Sequence, residues 1–136
     1  YKRQSQFGPL VTNGQEELAS LAYLVTMEFV SHNGAHIEAV GKTYHDALRQ
    51  LAARHPALCS GVEGDGHMSA LCFDQVPDAA AFAARMNREF CVDISAQTYK
   101  ANCRPVALTK LPLLVTEPMV GKLIAWMEQC LSEMEG

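Results

Sequence analysis

Apolar residues recur along this chain in two rhythms, one of three to four residues and one of two. The switches between them mark its elements. From 14 to 31, Leu18, Leu21, Ala22, Val25 and Phe29 fall on one stripe of a helix. Thr12 or Asn13 stands at its N-cap, Glu16 and Glu17 place negative charge in its first turn, and His32-Asn33-Gly34 predicts its end. A second helix over 35–54 carries Ile37, Val40, Tyr44, Leu48 and Leu51 on one face and stops at His55-Pro56. The short linker makes these two helices neighbours, packed antiparallel or sharply bent. Strands are expected at 59–63 and 67–73, joined through Gly64-Asp65-Gly66 as a hairpin. A third helix is expected from Ala79, with Ala79, Phe82, Ala83, Met86 and Phe90 inward, then strands at 92–99 and 106–111. A last helix over 117–133 has Thr116 as cap, Pro118 in its first turn and a stripe of Val120, Leu123, Ile124, Met127, Leu131 and Met134.

The order α-α-β-β-α-β-β-α predicts an α+β domain, with helices packed on one face of a small, largely antiparallel sheet. Residues 1–13 read as an extended lead-in broken at Gly8-Pro9, and 14–136 as a single domain. The first helix departs from the one-stripe rule. Tyr23, Leu24, Met27 and Val30 lie outside its main stripe, so it is apolar over more than half its circumference. That surplus suits a face that meets another domain or a second subunit.

Composition narrows the function by exclusion. A net charge of −4 with no basic stripe argues against nucleic acid as a partner. No apolar run reaches the roughly 18–20 residues that span a bilayer, and no signal-peptide pattern is present, so a cytoplasmic, membrane-free protein is expected. The five cysteines Cys59, Cys72, Cys91, Cys103 and Cys130 form no C-x-x-C pair and read as free thiols, mostly buried. His32 and His36 have a metal-like spacing, but Asn33-Gly34 breaks the turn between them and no third ligand is evident, so no metal is expected. His45 with Asp46, and Asp65 with His67, could make acid–base pairs, although a polar helix face and a turn explain them more simply.

Three segments carry a family resemblance. Thr12 and Gly14 with Leu18-Ala19 and Thr26-Met27-Glu28, then Val62-Glu63-Gly64-Asp65-Gly66-His67-Met68, then Leu111-Pro112-Leu113 with Thr116-Glu117 follow one another in this order. Together they resemble the C-terminal part of class III, fold-type I, pyridoxal-phosphate-dependent aminotransferases, over about residues 10 to 134. The resemblance implies the small C-terminal domain of a longer enzyme. That enzyme would be a homodimer that moves an amino group between an amino donor and a keto or aldehyde acceptor, or within one skeleton as an aminomutase. The missing large domain and a second subunit are then partners. The family's Schiff-base lysine lies upstream of the region resembled, so no catalytic residue is expected here and the piece alone should be inactive.

Thr12 matches the family threonine that reaches the cofactor phosphate of the other subunit, where a hydroxyl and a backbone N–H can both donate. It also matches a plain helix cap. The family's arginine for a substrate carboxylate falls on Leu108 here. Lys110, on the same face two residues on, or Arg104, in the preceding loop, could substitute. The alternative reading is a non-catalytic α+β binding or dimerisation module with no cofactor.

Overall fold

A computed structural model of the chain describes residues 17–98 and 103–136. The chain divides into two compact units, residues 1–34 and residues 35–136. In chain order the elements are helix α1 (Glu17–Arg54), strands β1 (Cys59–Asp65) and β2 (Met68–Phe73), helix α2 (Val76–Phe90), strands β3 (Ser95–Gln97) and β4 (Val106–Lys110), and helix α3 (Glu117–Glu135).

The two helices expected at 14–31 and 35–54 meet at a kink within α1, at the non-helical residue Asn33 (φ −117°, ψ 15°). The break falls at the Asn-Gly pair, where the end of the first helix was expected. The Asn33 side-chain amide donates to the Phe29 carbonyl at 2.8 Å, the acceptor its own backbone N–H would use in a regular helix. Within the first unit, the expected inward stripe is not covered. Leu18, Leu21 and Val25 are exposed, as are Tyr23, Leu24 and Met27, and α1 has no buried residue before Val40.

The second unit holds the core. Its sheet runs β1-β2-β4-β3 with every neighbouring pair antiparallel, so the expected α+β class holds. Directly paired residues share a face. Leu71, Phe73 and Ala107 therefore point one way, and they join a single cluster with Val40, Tyr44, Leu48 and Leu51 of α1, Ala79, Phe82 and Met86 of α2, and Val120, Met127 and Leu131 of α3. Phe73 and Phe82 meet at 5.5 Å between ring centres. Each fully buried large side chain here contributes about 1.5–3 kcal/mol of burial. The opposite sheet face presents Met68, Ala70 and Cys72 beside Val106, Leu108 and Lys110.

The boundaries shift where side chains reach across the chain. α2 starts at Val76 rather than Ala79, because Pro77 fits the first helical turn, where its missing N–H has no intrahelical role. The strand expected at 92–99 shrinks to Ser95–Gln97. Cys91 adopts a left-handed conformation (φ 55°) and the Val92 N–H returns to the Met86 carbonyl at 3.1 Å, which closes α2. Asn87 then donates to the Ile94 carbonyl at 2.9 Å and fixes the connection as a loop. Thr116 stands at the N-cap of α3 as expected, but its side chain makes no capping bond. The hairpin turn lies two residues later than expected, at Gly66-His67, because Gly64 and Asp65 still pair with Ser69 and Met68. Gly66 takes φ +48°, as the first position of a two-residue hairpin turn requires.

This turn sits against α1. A Cβ at Gly41 would lie 2.9 Å from His67 Cδ2 and 3.2 Å from Gly66 Cα. Gly41→Ala is expected to cost about 1–3 kcal/mol in urea unfolding, the usual range for overpacking. Gly121→Ala in α3, where an added Cβ meets nothing within 4 Å, should instead stabilise by about 0.5–1 kcal/mol.

Candidate functional site

Of the residues singled out for chemistry, Thr12 lies outside the described residues. Lys110 ends β4 opposite Met68 and is exposed. Arg104 is exposed two positions before β4, where the Pro105 carbonyl accepts the Phe73 N–H at 2.9 Å and prolongs the ladder. Arg104 lies before the strand and Lys110 at its end, six positions apart along the chain. Between them on this face lie Val106 and Leu108, both half-buried, beside the buried Ala70 and Cys72. Leu108, the position of the family's arginine, thus lies at the centre of an apolar strip with a cation near each end. Burial pushes the Cys72 thiol up, Glu63 adds to this, and Arg104 opposes it.

The histidines take partners other than those their sequence neighbours suggested. His32 Nδ1 lies 2.9 Å from the Glu28 carbonyl, while His36 Nε2 lies 3.1 Å from the Val115 carbonyl. Among the described residues, no three His, Cys, Asp or Glu side chains converge on a metal position. Asp46 pairs with Lys42 at 2.5 Å, leaving His45 Nδ1 to contact Ser69 Oγ at 3.0 Å. His67 donates from Nε2 to the Ile37 carbonyl at 2.9 Å. Neither acid–base pair forms.

One polar cluster escaped the sequence reading. His55, whose side chain is 6% exposed, has Nδ1 2.9 Å from Glu135 and Nε2 3.0 Å from Glu128, and Glu128 also takes Arg54. It ties the end of α1 to α3 from residues 73 and 80 positions apart. Arg54, and after it His55, hold the Glu128 carboxyl below the usual range. With every partner engaged, the cluster is a clamp between helices. Burial pushes Cys59 up to about 12 and Cys130 up to about 11, which removes both as nucleophiles near neutral pH.

No family model matches the sequence, and no curated protein matches it. Solved structures do match. A lysine aminotransferase from M. tuberculosis, in its internal aldimine form, superposes with a TM-score of 0.64 at 22% identity, over 79% of this chain and 24% of that one. A transaminase with L-alanine gives 0.73 at 15% identity, over 95% of this chain and 30% of that one. The fold is shared with aminotransferases. It is also shared with an Arthrobacter phospholyase in complex with phosphoethanolamine, at a TM-score of 0.71 and 19% identity over 84% of this chain and 28% of that one. The chain spans under a third of the length of each of these proteins.

Among the described lysines, Lys42 is held by Asp46, Lys122 lies 4.8 Å over the Trp126 ring, and Lys110 ends an exposed strand.

Two outcomes follow from these environments. A thiol-reactive disulfide reagent should modify the exposed Cys91 and Cys103 rapidly in the folded chain, and the buried Cys59, Cys72 and Cys130 only after unfolding. Glu128 has a depressed carboxyl in the folded state, so its contribution is complete above the ordinary carboxylate value of about 4.3 and is lost as pH falls through the lower folded value. Urea midpoints measured from pH 7 down to about 3 should therefore fall less steeply in Glu128→Gln than in the parent.

Proposed function

We propose that this chain is the small C-terminal domain of a pyridoxal-phosphate-dependent, class III-type aminotransferase. The complete enzyme would work in the cytoplasm as a homodimer and move an amino group from a small amino donor to a keto or aldehyde acceptor. The observation that carries the reading is the fold shared with aminotransferase structures over 79–95% of this chain. When bound, the cofactor supplies the electron sink for amino transfer, and the rest of the enzyme supplies the lysine that holds it.

In this reading Thr12 donates its hydroxyl to the cofactor phosphate of the other subunit. The small domain walls one side of the substrate cleft. Either Lys110, as a point charge, or Arg104, as a planar fork, holds the substrate carboxylate. The apolar surface of α1 from Leu18 to Val30, exposed in this chain, suits burial against the remainder of the enzyme.

The test is the visible absorbance of the complete gene product expressed from its native start. The band of lysine-bound pyridoxal phosphate, bleached by an amino donor, is the expected result. Its absence from a folded product would leave the non-catalytic module as the reading. In the complete enzyme, Thr12→Ala should lose cofactor on dialysis faster than the parent while its far-ultraviolet spectrum stays unchanged. Equal retention would remove Thr12 from the site.

A further inference from the structure

His55 follows directly on α1 and is the one fully buried histidine among the described residues. Both of its ring nitrogens face carboxylates of α3. Nδ1 lies 2.9 Å from Glu135 Oε2, and Nε2 lies 3.0 Å from Glu128 Oε1. An ionised carboxylate only accepts, whereas a neutral imidazole has one N–H and one lone pair. A neutral ring would therefore turn its lone pair on a carboxylate oxygen, in a place that its burial keeps from water. Two bonds of this length need two ring protons, or a proton on one of the carboxyls.

The surroundings put the second proton on the ring. Arg54 Nε donates to Glu128 at 2.9 Å, and Arg54 holds that carboxyl below its usual range, so Glu128 is not the carrier. Between an imidazole and a glutamate carboxylate, the imidazole is ordinarily the stronger base by about 2 pH units. A cationic ring also balances the cluster, with Arg54 and His55 facing Glu128 and Glu135. The Cys59 thiol at the start of β1 couples to Glu135 but stays neutral, since burial, and after it Glu135, push it up to about 12. The two arms differ in their anchorage. Glu128 is held by Arg54 as well as by the ring, whereas Glu135, the last residue of α3, has no second partner among the described residues.

We propose that His55 is a proton-operated latch. Cationic, it pins the last turn of α3 to the end of α1; on losing a proton it releases Glu135, while Arg54 keeps Glu128 in place. None of the residues assigned to cofactor or substrate takes part. A ring that gains two carboxylate partners on folding holds its proton more tightly folded than unfolded. Its contribution to stability is complete below the ordinary histidine value of about 6.5 and is lost as pH rises through the folded value.

The test is a magnetic resonance titration of the nitrogen-15-labelled 136-residue chain from about pH 5 to 9, read at the imidazole nitrogens. Urea midpoints are measured from about pH 6 to 7.5, below the ordinary thiol value of about 8.5, where the cysteines contribute little. At about pH 7 both His55 nitrogens should give the N–H pattern of an imidazolium, and His55→Gln identifies these signals by their loss. The amide signals of residues 131–136 should move with the ring. The Glu135→Gln side chain can donate to a ring lone pair and so suits the neutral ring. In that variant the ring should reach the neutral pattern at a pH lower by about 1 or more, and the urea midpoint should fall less over the range than in the parent. A single N–H on the parent ring at about pH 7 would overturn the proposal. So would a Glu135→Gln ring that titrates with the parent's, or residues 131–136 that do not follow the ring. The parent spectrum decides the question even where a variant fails to fold.

Discussion

The second unit is organised around the close approach of helix α1 to the turn between β1 and β2. Two glycines make that approach possible, since Gly41 brings the helix backbone within reach of Gly66 and no side chain stands between them. His67 then closes the contact with a hydrogen bond to the Ile37 carbonyl. Because β2 is central in the sheet and pairs with both β1 and β4, fixing its turn on α1 sets the height of the whole sheet against the helix. Tyr44, Leu48 and Leu51, at successive turns beyond Gly41, share one core cluster with Leu71 and Phe73. At the far end of the same helical segment, His55 and Arg54 hold α3 through Glu128 and Glu135.

The elements legible in the sequence are those whose stripes are long and local. α2 and α3 bury Phe82, Met86, Val120, Met127 and Leu131 as their periodicity required, and β2 and β4 start within a residue of where alternation placed them. The misreadings lie where a single side chain overrides a local signal. Asn87 holds Ile94 out of a strand by donating to its carbonyl. That bond is made by an amide side chain, and composition says nothing about where such a group will point. The uncovered stripe at Leu18, Leu21 and Val25 is a different case. Periodicity gives the face of a helix but not the body that covers it.

The candidate chemistry divides in the same way. Lys110 and Leu108 share a face because strand alternation is strict, and this was readable in advance. The partners of His45, His55 and His67 were not, because they lie 24 to 80 residues away along the chain. Histidine is amphoteric and short, so its role depends on which carbonyl or carboxylate folding brings near.

The strand order has a consequence for how this domain can associate. Its two sheet edges are both poor templates for a further strand. β1 carries an irregularity between Cys59 and Gly61 that leaves Ser60 out of register, and β3 is only three residues long. A bulged edge and a truncated one each interrupt the regular row of N–H and C=O groups that an incoming strand would need. Growth of the sheet sideways is thereby discouraged at both ends. Among the described residues, faces remain instead: the outer face of β2 and β4 at Met68 and Lys110, and the exposed apolar turns of α1.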